Sequence, residues 1–66
     1  MREYYIPIIM AAEKTEGIRY MVELSRLTPQ PSYEEAQLVA EDEVCIRSRA
    51  HNSLRYGYRI EKVTVL

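Results

Sequence analysis

Cys45 and His51 are the one thiol and the one imidazole of this 66-residue chain. A thiolate nucleophile or a soft-metal site would have to use both. Six positions apart on a helix, they are separated by about 600° at ~100° per residue and point to different sides. The spacing predicts a half-exposed small apolar Cys45 and a polar His51 near a helix C-terminus, with no metal site and no Cys–His activation. Glu41-Asp42-Glu43 offers adjacent carboxylates. Consecutive helical positions splay by ~100°, so these three cannot converge on one substrate atom. Glu43 instead stands four residues before Arg47, the favourable order for an ion pair. Two glycines, Gly17 and Gly57, cannot build a phosphate loop. The serines and threonines have no acid-oriented histidine to make a triad. These readings predict a protein without catalytic residues, cofactor or metal.

Charge is distributed unevenly. Residues 1–46 carry four bases and nine acids; residues 47–66 carry five bases and one acid. The basic stretch interleaves Arg47, Arg49, Arg55 and Arg59 with Tyr56 and Tyr58. Arginines that neutralise phosphates beside tyrosines that stack on bases are what a nucleic-acid surface uses. The bland reading is a helix end complemented by cations, followed by an arginine-flanked strand. A sequence pI near 5.8 favours the bland reading, since nucleic-acid modules are usually basic overall. The acidic half offers a different contact, with Glu34 and Glu41 on an outer helix face suited to a basic partner. All six aromatics are tyrosine, a residue that tolerates half-burial and is enriched at interfaces.

Three apolar segments must position these residues. Glu3 to Ala12 is a β-rich run, and Glu13 to Gly17 is a polar loop closed by glycine. Ile18 to Leu27 alternates, with Ile18, Tyr20, Val22 and Leu24 on one side. Pro29 and Pro31 then end sheet pairing. Ser32 and Glu35 have capping-box spacing, and no Gly or Pro interrupts Tyr33 to Asn52, which predicts a helix over about 32–52 ended by a left-handed Asn52. Its inner stripe is Tyr33, Ala36, Ala40, Val44 and Arg47, flanked by Val39, Ala50 and Leu54. The last strand covers about Tyr56 to Leu66, where a parity switch between Tyr58/Ile60 and Val63/Val65 predicts a bulge near Glu61-Lys62. Gly57 marks a kink or a close backbone approach. The expected fold is α+β: a single ββαβ domain over 1–66, a mainly antiparallel sheet of order 2-1-3, one helix on one face. Strand one takes the centre because it is apolar on both faces, with a bulge to absorb Pro7.

A domain this short has marginal stability, and its one cysteine cannot form a disulfide within the chain. Self-association or a partner is the expected supplement. A five-residue hairpin loop would put Tyr4, Ile6, Ile8 and Met10 under the helix, leaving Tyr5, Ile9 and Met21 among Arg19 and Glu23 on the open side. A four-residue loop would turn Tyr5, Pro7, Ile9 and Ala11 toward the second strand's apolar set instead. The first register makes Tyr5, Ile9 and Met21 the homodimer or partner interface. The longest uncharged run, Tyr4 to Ala12, falls well short of the ~20 residues of a membrane helix. Glu3, the tyrosines and Pro7 argue against reading it as a secretory signal. One unpaired cysteine fits a reducing cytoplasm. The expectation is a cytoplasmic, homodimeric protein-binding regulator or inhibitor of phage type, the last by analogy of size alone. A small nucleic-acid module using 47–59 is the alternative.

Overall fold

The computed structural model describes residues 2–15 and 21–66. Its elements are β1 (Arg2–Glu13), β2 (Val22–Arg26), α1 (Tyr33–Ala50) and β3 (Leu54–Val65). They form a three-stranded antiparallel sheet of order β2-β1-β3 with the helix packed on it, an α+β fold. Expected strand residues 18–20 and the loop glycine at 17 lie outside the described residues.

β1 holds the centre because both its parities are apolar, and the sheet buries them on opposite faces. Ile8 and Ile9 are adjacent in sequence and each has no accessible surface. Pro7 is accommodated without a bulge at its own position. Tyr5 exchanges two backbone bonds with Gln30, and the Pro7 carbonyl accepts the Leu27 amide at 2.9 Å. In an antiparallel strand the backbone groups of alternate residues face the same neighbour. Tyr5, Pro7, Ile9 and Ala11 therefore address the β2 side, while Tyr4, Ile6, Ile8 and Met10 address β3. The missing proline donor falls where β2 has already ended, and the β3 ladder is untouched.

That ladder runs in one register from Arg2↔Val65 to Glu13↔Leu54. The bulge expected near Glu61-Lys62 is absent. Tyr58 and Ile60 face the helix and Val63 faces the other side beside Tyr4, so the parity switch records two partly apolar faces. The irregularity lies in β2: Ile9 pairs with Ser25 and Met10 with Glu23, leaving Leu24 as the extra residue. Among the described residues Ala11 pairs with Val22 and Ile8 with Arg26, a register that neither expected loop length gives; the closing pairs expected at Gly17 and Ile18 lie outside the described residues.

The helix starts where expected. Ser32 is the N-cap, its oxygen accepting the Glu35 amide at 3.2 Å and its hydroxyl donating to the Glu35 carboxylate at 3.3 Å. Removing that oxygen by Ser32→Ala should cost ~1 kcal/mol, read as a lower urea midpoint with unchanged slope. An unchanged midpoint would show that the cap contributes nothing. The far end differs from expectation: α1 stops at Ala50, His51 is the cap, and its amide donates to the Arg47 carbonyl at 2.8 Å. No described non-glycine residue has positive φ, so Asn52 is not a left-handed terminator. Of the inner stripe, Ala36 and Ala40 are fully buried, Val44 and Arg47 half-buried, and Tyr33 is at the edge, with its ring edge-on to Tyr5 at 6.1 Å.

The face assignment is reversed. Tyr5, Pro7, Ile9 and Ala11 lie beneath α1, not Tyr4, Ile6, Ile8 and Met10. Two alanines let the helix approach closely, and the thin space they leave suits Ile9 between Pro7 and Ala11. The bulkier parity is covered on the other side by the stems of charged residues.

Candidate interaction surface

On the open face, Ile8 is flanked directly by Arg26 of β2 and Arg59 of β3. Glu23 and Glu61 complete a ring of alternating charge. Arg26 meets Glu23 at 2.8 Å and Glu61 at 2.9 Å, and Arg59 meets the same two carboxylates at 3.5 Å each. The hydrogen bond and charge of Arg26 hold the Glu61 carboxyl below its ordinary range, and Glu61, with Glu23, raises the Arg26 guanidinium. The arginine stems shield Ile8 from water, as long cationic side chains do over apolar surface. Solvent-exposed pairs of this kind are screened and contribute little by themselves. Covering Ile8 is the larger effect of the ring.

On the helix side, α1 leaves β2 uncovered toward its C-terminal end. A groove of about 490 Å³ opens there, lined by Leu24, Ser25, Arg47, His51, Leu54 and Tyr56. The β2 bulge creates it. An extra residue lets consecutive Leu24 and Ser25 both face the helix side. Arg47 is steadied from behind, its Nε donating to Glu43 at 2.8 Å. Leu24, Leu54 and the Tyr56 ring make apolar walls, and Arg47 and His51 supply a polar rim. The geometry is that of an open groove, and among the described residues no hydrogen bond joins Ser25, His51 and Tyr56.

The residues singled out in the sequence fall on several surfaces. Ile9 is fully buried under the helix and Tyr5 packs on Tyr33. Met21 is on the opposite face, its sulfur 3.2 Å from where a Cβ on Gly57 would stand. Tyr5, Ile9 and Met21 thus share no surface, because helix and strand parity are reversed from the expected register. Gly57 admits a close approach, by a methionine side chain. In the basic segment, Arg55 and Arg59 lie on the open face while Tyr56 and Tyr58 face the helix. Arg47 is paired with Glu43, and Tyr58 accepts from Gln37 and donates to Glu41, each at 3.3 Å. Arg49 is exposed near the end of α1. The segment therefore forms no single arginine–tyrosine platform. Glu34 is exposed in the first helical turn, and Glu41 is exposed beside Tyr58. Cys45 is exposed on α1, away from the groove that His51 lines. Among the described residues no three potential ligands gather around a metal position, and no helix is long and apolar enough to cross a membrane.

Sequence reasoning missed Leu24, Ser25 and Leu54 as members of one site. The only signal was indirect: Leu24 shares the parity of Val22, and nothing local announces the bulge that brings Ser25 to the same side. No family model, curated protein or solved structure matches the chain.

Proposed function

We propose that this chain is a small non-enzymatic protein-interaction protein. It acts in the cytoplasm as a regulator or phage-type inhibitor, by occupying a partner protein. One observation carries the reading: large aliphatic residues are outside while alanines line the interior. Val22, Leu24, Leu38 and Ile46 are 49–66% exposed, whereas four of the six core residues are alanine. Single exposed aliphatics are ordinary. Here Leu24 joins Leu54 and Tyr56 in a groove rimmed by Arg47 and His51, which suits an apolar side chain with a neighbouring acid.

The test is a pull-down from host lysate under nuclease treatment, with wild type and Leu24→Glu in parallel. A captured protein that survives nuclease and is lost with Leu24→Glu, at unchanged circular dichroism, supports the reading. Capture that nuclease abolishes, or that ignores the substitution, overturns it.

A further inference from the structure

The two edges of the sheet are built differently. β2 is five residues long, bulged at Leu24 and followed by Pro29 and Pro31, all of which discourage further strand pairing. β3 is twelve residues long, straight in register and free of proline. Its odd-numbered residues bond to β1, so Tyr56, Tyr58, Ile60, Lys62 and Thr64 direct their N–H and C=O groups outward. Among the described residues no backbone group meets them. A long straight edge of this kind is a template for another strand.

We propose that the β3 edge pairs antiparallel with the β3 edge of a second copy of this chain, about a two-fold axis through Ile60. The proposal rests on the reading of the chain as an interaction protein, but uses the outward backbone of β3 and shares only Tyr56 with the pairing set and the groove lining. Two constraints select the occupant and register. Outward-bonding residues must face each other, so even positions pair with even ones. The two longest such alignments centre on Arg59 or on Ile60. Centring on Arg59 sets that arginine directly against its own copy, a destabilising arrangement. Centring on Ile60 sets Arg59 against Glu61 of the second copy, twice by symmetry. It also aligns Ile60 with Ile60, Tyr58 with Lys62 and Tyr56 with Thr64, and opposes no like charges. A strand that is its own charge complement in its longest permitted register fits a second copy better than an unrelated segment.

The packing is feasible. All paired even residues lie on the helix face, so both helices sit on the same side of a continuous sheet of order β2-β1-β3-β3-β1-β2. The two β1 strands are then three spacings apart, ~14 Å at ~4.7–4.9 Å each. α1 packs on β3 as well as on β1, so the two helices lie nearer than that, at a separation close to the ~8–10 Å of directly packed helices.

Sedimentation equilibrium and amide exchange on the wild-type chain test this together. The expected result is a dimer in which the amides of Tyr56, Tyr58, Ile60, Lys62 and Thr64 become protected as concentration rises. Isotope-filtered NMR on mixed labelled and unlabelled chains should show Arg59 Hα against Glu61 Hα across the interface. Lys62→Pro removes an outward donor without touching the β1 ladder, and should weaken dimerisation at least tenfold with an unchanged circular dichroism spectrum. A wild type that stays monomeric at millimolar concentration overturns the proposal, as does a dimer whose outward amides exchange freely or whose contacts join Arg59 to Arg59. If Lys62→Pro fails to fold, the wild-type measurements decide alone. A monomer that still captures a partner through Leu24 would refute this interface while leaving the groove reading intact.

Discussion

Ile9→Ala should cost about 2–5 kcal/mol, the usual penalty for emptying a fully buried aliphatic site. A domain of this length has a total stability of roughly 3–10 kcal/mol, so the substitution removes a large fraction of it. The cost is high because Ile9 sits between a close-packed helix and the central strand. Ala36 and Ala40 offer no longer side chain to fill the space. Ile8→Ala is the informative comparison. It is equally buried, yet its cover is the flexible stems of Arg26 and Arg59, which can settle into the gap. Its loss should fall at the lower end of the same range. Urea titration of both variants reads the difference. An Ile9→Ala midpoint within ~1 kcal/mol of wild type would show that Ile9 is not core.

Ala40→Leu should be comparably damaging from the opposite direction. Ala40 has no accessible surface beneath α1, and a leucine there must lift the helix from the sheet or force strained rotamers. Such overpacking costs ~1–3 kcal/mol, occasionally more. Leu38→Ala, two residues earlier but outward and 66% exposed, should stay within about 0.5 kcal/mol. Thermal melts of the pair at matched concentration separate them. Equal melting temperatures would mean that the alanines are not the contact on which the helix rests.

These two variants also mark where sequence reasoning reached and where it stopped. The strand order was legible because a run apolar at Ile6, Ile8 and Ile9 must be covered on both sides, and only a central strand offers that. The helix start was legible because Ser32 and Glu35 carry a local hydrogen-bond pattern that needs no tertiary context. Which face of β1 the helix covers was not legible. When both parities are apolar, alternation carries no information about direction, and choosing the bulkier set ignored how far arginine stems can cover a sheet. The Tyr58/Ile60 to Val63/Val65 switch misled for the same reason: two modestly apolar faces resemble one apolar face with a slip. The groove was out of reach, since it depends on a bulge in β2 bringing Leu24 and Ser25 to the side of Arg47, Leu54 and Tyr56. Nothing in the spacing of those five residues links them.

The unequal attachment of β1 to its neighbours bears on how the molecule opens. Toward β3 the central strand is held by an unbroken ladder; toward β2 it is held by a short, bulged one with a proline in its path. Opening free energies within one domain range from near zero to the global value, and β2 belongs at the low end. Detachment of β2 dismantles the groove, because Leu24 and Ser25 leave with it. Anything seated there binds only the closed population, and so draws the open one back by mass action. An occupant at a hundred times its dissociation constant would add about 2.7 kcal/mol to the closed state. The weakest strand thereby becomes the one whose order reports whether a partner is present.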